Sequence, residues 1–230
     1  MTLFASLLRL SAAILLLLCS FSLSAQTAGQ WRDSLAVLSR RIEANPSSTD
    51  LRLRKAAVNI ELGQWEYAIE EYTRVLAMDP QSIAAHFYRA YASASLRRWA
   101  DARADYEAVI AAAPMNMEAR LGLARVAVGT GDAAAAMDHY NRLVELFPDS
   151  AVVWAARADF ERGQKAYAAA LDDWDRAICL QPADAGYRLS RADLLLLMGR
   201  RREARAALDE IVSRGTPRGL LLDWYKRCAD

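Results

Sequence analysis

The sequence predicts an all-α protein built as a linear stack of helix pairs. Five of its six prolines, Pro46, Pro80, Pro114, Pro148 and Pro182, fall 34 residues apart with no insertion or deletion, which marks an internal repeat. Alanine recurs at the same step at Ala56, Ala90, Ala124, Ala158 and Ala192, and a second small column reads Ser34, Ala68, Ala102, Ala136, Ala170 and Ala204. Between these markers the apolar residues keep helical spacing. Ala68, Tyr72, Val75 and Leu76, then Ala102, Tyr106, Val109 and Ile110, follow the i, i+4, i+7, i+8 pattern of a buried stripe.

Residues 1–25 carry one charge, Arg9, followed by the apolar run Ala12 to Leu18 and small residues up to Ala25. This is the pattern of a secretory signal peptide, and the run is too short to span a bilayer. Cleavage is expected near Gln26, which makes the protein exported, in the periplasm or elsewhere in the cell envelope. The alternative is a lipoprotein anchored through Cys19, which directly follows the apolar run. The next segment, 26–48, predicts a lone helix over 30–44, half of a repeat. Five repeats follow at 49–82, 83–116, 117–150, 151–184 and 185–218. Their helices are expected at 49–62 and 65–79, 83–96 and 99–112, 117–129 and 133–146, 151–163 and 167–181, and 185–198 and 201–214. Each proline closes a second helix, because it has no amide hydrogen and disfavours a helical residue before it. Residues 219–230 form a capping helix, expected from about 218 to 229.

The columns predict the packing. Small residues recur where two helices approach closely, since a larger side chain would push them beyond the usual separation of about 8 to 10 Å. Trp31, Trp65, Trp99 and Tyr167 share one large column, and Leu38, Tyr72, Tyr106, Tyr140, Trp174 and Leu208 share another. A branched aliphatic column, Ile42, Leu76, Ile110, Val144, Ile178 and Val212, is expected to fill the space between neighbouring pairs. Gly63, Gly131 and Gly199 stand between the two helices of a repeat, where glycine ends a helix in the left-handed region. Arg97 and Lys165 hold that place in the other two repeats, where a left-handed backbone costs a residue with a Cβ about 1 to 2 kcal/mol.

The chain has 29 Lys and Arg against 28 Asp and Glu. Removing residues 1–25 takes away Arg9 and no acid, so the exported chain is neutral and shows no bulk attraction to nucleic acid or anionic membrane. Membrane attachment is expected only through a lipidated Cys19. Cys179 and Cys228 stand a whole repeat apart and are expected as unpaired thiols. No catalytic set, metal site or cofactor motif emerges. His86 and His139 lie in separate repeats, and the GxG of Gly129 and Gly131 follows a helix where a phosphate cradle would follow a strand. Asp172, Asp173 and Asp175 point to different sides of one helix. Arg200, Arg201, Arg202 and Arg205 form the densest basic cluster, expected as a solvated turn that echoes Arg97 and Arg98.

The small, aromatic and proline columns resemble the tetratricopeptide repeat family over nearly the whole exported chain, in an exported, bacterial-type form. The resemblance implies a right-handed superhelical α-solenoid of antiparallel helix pairs, with a concave groove lined by the first helix of each pair. It also implies no activity of its own and a protein or peptide partner. On the first helices, the face turned away from the alanine column carries Leu53 and Ala57, Phe87 and Tyr91, Leu121 and Arg125, Ala155 and Asp159, and Leu189 and Asp193. Of these, Leu53, Phe87, Tyr91, Leu121, Arg125, Asp159, Leu189 and Asp193 are the candidate partner-binding residues. The Lys and Asn set of chaperone-docking relatives is missing, since Leu53 and Ala57 occupy the matching places. In the capping helix, Leu221 or Trp224 is expected on a terminal surface, because one helical face cannot hide Leu220, Leu221, Leu222, Trp224 and Tyr225 together. Self-association through the exposed ends of the array is the alternative function.

Overall fold

The computed structural model describes residues 29–229. The expected leader, its cleavage site near Gln26 and the lipidation alternative at Cys19 therefore lie outside the described residues. Those residues are helical throughout, with no strand among them. They form two compact units that divide between Ala112 and Ala113.

The first unit opens with α1, 29–44. It continues with α2 (Thr49–Glu61) and α3 (Trp65–Met78), then α4 (Ile83–Ser95) and α5 (Trp99–Ala112). The second unit holds the pairs α6 (Met117–Gly129) with α7 (Ala133–Leu146), α8 (Ala151–Gly163) with α9 (Tyr167–Leu180), and α10 (Ala185–Leu197) with α11 (Arg201–Ser213). A 3-10 turn, Arg218–Leu221, leads into the last helix, α12 (Leu222–Ala229). In each repeat the first helix packs on the second, and within a unit the second packs on the first helix of the following repeat.

The alanine columns lie where the helices meet. Ala56, Ala68, Ala90, Ala102, Ala124, Ala136, Ala158, Ala170, Ala192 and Ala204 are all 0% exposed. The aromatic column is buried as well, with Tyr72, Tyr106, Tyr140 and Trp174 at 5% exposure or less. The expected aliphatic column is buried at Ile42 and Leu76, each 9% exposed, and departs from the expectation in the later repeats. Ile110, Val144, Ile178 and Val212 are only half-buried, whereas Val75, Val109, Leu143, Ala177 and Ile211, one residue earlier, are at most 1% exposed. A position three residues after the aromatic and one four residues after it flank the same stripe, and the packing selects the first for the centre.

Helix ends follow the repeat. Two residues after each proline stands an N-cap, Ser48, Ser82, Asn116, Ser150 or Asp184, a column the sequence reading missed. Ser48 accepts a hydrogen bond from Leu51 N, Ser82 from Ala85 N, Asn116 from Ala119 N and Asp184 from Gly186 N. Ser150 donates to Met117 Sδ at 3.4 Å instead. Four of the repeat prolines have their own carbonyl capped by a side-chain donor six residues on. Arg52 donates to Pro46 O at 3.0 Å, Arg120 to Pro114 O at 2.6 Å and Trp154 to Pro148 O at 2.7 Å, and His86 Nε2 lies 3.1 Å from Pro80 O. This too went unseen in the sequence, because the column mixes Arg, His and Trp, which share a ring or guanidinium N–H and nothing in polarity class.

The turn inside each repeat is a Schellman motif. Gln64 N donates to Asn59 O and Gly63 N to Ile60 O, and the same two bonds recur at Arg98 and Arg97, at Asp132 and Gly131, at Ala166 and Lys165, and at Arg200 and Gly199. The motif requires a left-handed residue. Gly63, Gly131 and Gly199 supply it with φ of 67°, 78° and 73°, and Arg97 and Lys165 are held there at 58° and 61°.

The final segment departs from a continuous helix. The 3-10 turn advances about three residues per turn, and this turns Leu221 inward. Leu221 is 2% exposed and packs with Ala192, Leu208 and Ile211, so the expectation of a surface residue there is corrected. Leu220 and Leu222, at 71% and 53%, are the exposed leucines of this segment. Tyr225 donates to Asp209 Oδ1 at 2.6 Å, and the Arg218 guanidinium lies 4.3 Å from the Tyr225 ring centroid, so α12 is held to α11.

Lys165→Gly is expected to stabilise the second unit by about 0.5 to 1 kcal/mol: relief of the left-handed backbone exceeds the added flexibility of the unfolded chain. Thermal or denaturant unfolding of parent and variant measures it, and a lower midpoint for the variant would contradict the strain assigned to this turn.

Candidate functional site

In the first unit, Leu53 on α2 is half-buried against the cluster around Ala56 and Tyr72. On α4, Phe87 meets the Tyr106 ring edge to face at 5.9 Å, and Tyr91 meets Trp65 in the same way at 5.8 Å. Both are half-buried, so Phe87 contributes to packing within its own repeat and Tyr91 to packing against the preceding one, and each keeps part of its ring free.

In the second unit, Leu121 is half-buried beside Ala124 and Tyr140, and Arg125 is exposed. Ala155 is buried. Asp159 on α8 and Leu189 and Asp193 on α10 come together with Arg162, Ser190 and Trp224 around one cavity of ≈ 310 Å³. Two groups of residues that sequence reasoning kept apart thus share a site: the carboxyl end of the first-helix face and the tryptophan of the capping helix. Trp224 is half-buried and also packs on the cluster around Leu208 and Leu221.

The cavity combines an apolar wall with acidic groups. Leu189 and Trp224 supply the first, and Asp159 and Asp193 the second. Arg162 reaches Asp159 at 3.5 Å, and Arg227 on α12 brings Nη2 within 2.7 Å of Asp193 Oδ1. Arg162, Ser190 and Arg227 were not singled out in the sequence. The available signal was spacing, since Arg162 lies three residues after Asp159 and Arg227 three after Trp224, one helical turn in each case.

A second set of polar residues is buried inside the repeats. Glu71 accepts from Arg52 at 2.8 Å, Lys55 at 3.0 Å and Arg74 at 2.8 Å. One repeat later, Asp105 accepts from Arg89 through two bonds of 2.7 and 2.8 Å and lies 2.7 Å from His86 Nδ1. In the second unit, Asp173 accepts from Arg157 at 2.6 and 2.8 Å. Three of these pairs, Lys55 with Glu71, Arg89 with Asp105 and Arg157 with Asp173, join residues sixteen apart, from the first helix of a repeat to the second. Burial alone would raise the Glu71 carboxyl, and the bonds from Lys55 and Arg52 outweigh it and hold the group below its ordinary value.

The fourth repeat has one acid too many. Glu161 is 5% exposed, lies 3.9 Å from the Arg157 Nε already engaged by Asp173, and its Oε2 has no hydrogen-bond partner. Burial first, then the charges of Asp173 and Asp172, against the opposing Arg157, push its carboxyl up to about 7. Trp154 stands in the column that holds Arg52, His86 and Arg120 in the earlier repeats, and it packs against the Arg157 guanidinium at 5.1 Å.

The remaining sequence features have structural places. His86 lies between Asp105 of its own repeat and the Pro80 carbonyl of the preceding one, as above. Asp175 pairs with Arg191 at 2.6 Å, away from Asp173. Arg200 pairs with Glu203 in the exposed basic turn at 2.7 and 2.6 Å. Cys179 is exposed and Cys228 half-buried, both as free thiols. Among the described residues no group of three or more His, Cys, Asp or Glu is placed to hold a metal ion, and no helix is long and apolar enough to cross a membrane.

The family model described as tetratricopeptide repeat matches residues 20–83, 60–100 and 89–151, together more than half of the chain. No curated protein sequence matches it. Among solved structures, the chain is similar to a tetratricopeptide repeat protein from Parabacteroides merdae, with a TM-score of 0.68 at 19% identity over 88% of this chain and 79% of that one. It is similar to pilF of Pseudomonas aeruginosa, with a TM-score of 0.64 at 18% identity over 86% and 88%. It is also similar to YrrB, whose structure is described as having an unusual peptide-binding site, with a TM-score of 0.55 at 17% identity over 82% and 97%.

Glu161 generates a pH prediction. Between the ordinary 4.5 and about 7 the unfolded chain has released this proton while the folded chain still holds it, so stability falls as pH rises through that window and levels off above it. Glu161→Gln removes the titration. The variant is expected to lose that slope and to exceed the parent by about 1 to 3 kcal/mol above pH 7. Denaturant melts at pH 5 and pH 8 read the difference, and equal slopes in the two proteins would contradict it.

Proposed function

We propose, from the premise that the chain belongs to the tetratricopeptide repeat family, that it is an exported, non-enzymatic scaffold of the cell envelope. It presents the free faces of its first helices to a peptide or protein partner. The repeat fold is that of a protein-interaction scaffold, and members of the family are generally non-catalytic. The observation that carries the reading is the composition of those faces. The faces carry half-buried apolar residues at Leu53, Phe87, Tyr91, Leu121 and Leu189 and charges at Arg125, Asp159 and Asp193, which suits a segment with both apolar and ionic anchors. Peptide binding is a use of the same fold in YrrB. Export rests on residues 1–25, with their single Arg9, short apolar run and small residues before Gln26.

A second reading is self-association through the end of the array. It is favoured by one observation, the exposure of both Leu220 and Leu222 on the last segment. Leu222→Glu and a solution-mass series separate the two readings: a concentration-dependent mass that this substitution lowers supports self-association, and a monomer that captures a partner supports the scaffold.

Partner capture from an envelope extract tests the main reading. Tyr91→Ala and Arg125→Glu are expected to lower capture about tenfold or more with little loss of folding, since Arg125 is exposed and Tyr91 half-buried. Unchanged capture by both folded variants would overturn it. The protein recovered from its host is expected to begin near Gln26 and to lie outside the cytoplasm, and intact material starting at Met1 inside the cytoplasm would refute export.

A further inference from the structure

The cavity between α8, α10 and α12 has a more specific chemistry than the rest of the first-helix faces. Its lining carries two carboxylates, Asp159 and Asp193, and one guanidinium, Arg162, beside the side chains of Leu189 and Trp224 and the hydroxyl-bearing Ser190. Asp159 and Asp193 occupy the same place in successive repeats, 34 residues apart, and so face the cavity from neighbouring first helices. The lining residues thus carry one more carboxylate than cation, a charge that Arg227 of α12 balances at Asp193, and the apolar wall includes an aromatic ring.

The chain already contains an example of the group that fits. Arg227 comes from the short α12, crosses to α10 and places Nη2 2.7 Å from Asp193 Oδ1, one turn beyond Trp224. Arg162 meets the other carboxylate at 3.5 Å, beyond hydrogen-bond range for a well-formed pair. Both aspartates thus answer guanidinium groups, and both bridges lie near the surface, with side-chain exposures from 33% to 55%. Solvent-exposed pairs of this kind are weak and exchange readily.

We propose that this cavity receives an arginine side chain from a peptide or protein partner. The guanidinium sits between Asp159 and Asp193, and the methylene stem and guanidinium plane lie along Trp224 and Leu189. Arginine is favoured over lysine for two reasons. Its planar fork meets carboxylates through paired bonds, and it stacks on an indole face while its stem stays on apolar surface. Arg227 then acts as an internal competitor for Asp193, so the capping helix sets the affinity of the site. The inference rests on the first-helix faces being the partner-binding surface and adds the chemistry of one subsite.

Fluorescence anisotropy with three labelled peptides tests it. They are alike in an otherwise neutral nine-residue sequence and carry arginine, lysine or citrulline, the neutral isostere of arginine, at the centre. With the parent protein the arginine peptide is expected to bind about tenfold more tightly than the citrulline peptide, with lysine between them. Asp159→Asn with Asp193→Asn is expected to abolish that difference, and Arg227→Gln is expected to tighten the arginine peptide about threefold or more. Equal binding of arginine and citrulline peptides by the parent overturns the proposal without involving any variant. Weaker arginine binding by Arg227→Gln, in a protein with an unchanged melting temperature, also overturns it. The wider reading fails separately: if Tyr91→Ala and Arg125→Glu still capture the envelope partner while the arginine preference holds, the subsite stands and the broader surface does not.

Discussion

Close approach between helices is the constraint on which every repeat depends. Ten alanines in two columns are completely buried, and each marks a place where two helix backbones meet with one methyl group between them. A larger side chain there would separate the axes, displace the aromatic residue behind the contact and shift the next pair. Because a repeat touches only its sequence neighbours, the fault would act locally and weaken the stack at one interface. The unbroken 34-residue step follows from the same requirement, since a single insertion would rotate the alanine away from its partner.

The polar interior obeys a looser rule. Glu71 is held by three cations, Asp105 by an arginine with an imidazole beside it, and Asp173 and Glu161 have one arginine between them. A buried carboxylate costs several kcal/mol without partners, so Glu71 with its three cations is held charged, and the fourth repeat moves its surplus acid toward neutrality. The columns that supply these charges vary independently. Replacement of a base by Trp154 preserves the hydrogen bond to the preceding proline carbonyl and removes a positive charge from the network. One position therefore serves the backbone in every repeat that uses it and the electrostatics in only some.

The last helix joins these themes at the surface. Its entry through a 3-10 turn buries Leu221, leaves Leu220 and Leu222 in solvent, and sets Trp224 and Arg227 against α10. A cap that only shielded the final repeat would need only the residues that pack on its core, as Leu221, Trp224, Tyr225 and Cys228 do. This one also adds an aromatic wall and a guanidinium to an acidic cavity, so covering the end of the stack and shaping a binding site are done by the same eight residues of α12 and the turn before it.

The period, the order of the helices, the buried alanine and aromatic columns and the left-handed backbone at Arg97 and Lys165 were all legible in the sequence. Each is a local property repeated five times, so registering one repeat on another exposed it, even where arginine or lysine replaced glycine. The candidate site was legible only in part: the columns placed Asp159, Leu189 and Asp193 on one face, and the cavity itself could not be read. Pairing of side chains sixteen residues apart depends on how two helices rotate against each other, and the convergence of Asp193 with Trp224 and Arg227 depends on a turn that has no counterpart in the repeats. The choice of Val109 and Leu143 over the next aliphatic position was likewise made by packing, because both columns have the same spacing and polarity. Tertiary structure decided what periodicity leaves degenerate: which of two equivalent neighbours faces inward, and what a unique terminal segment touches.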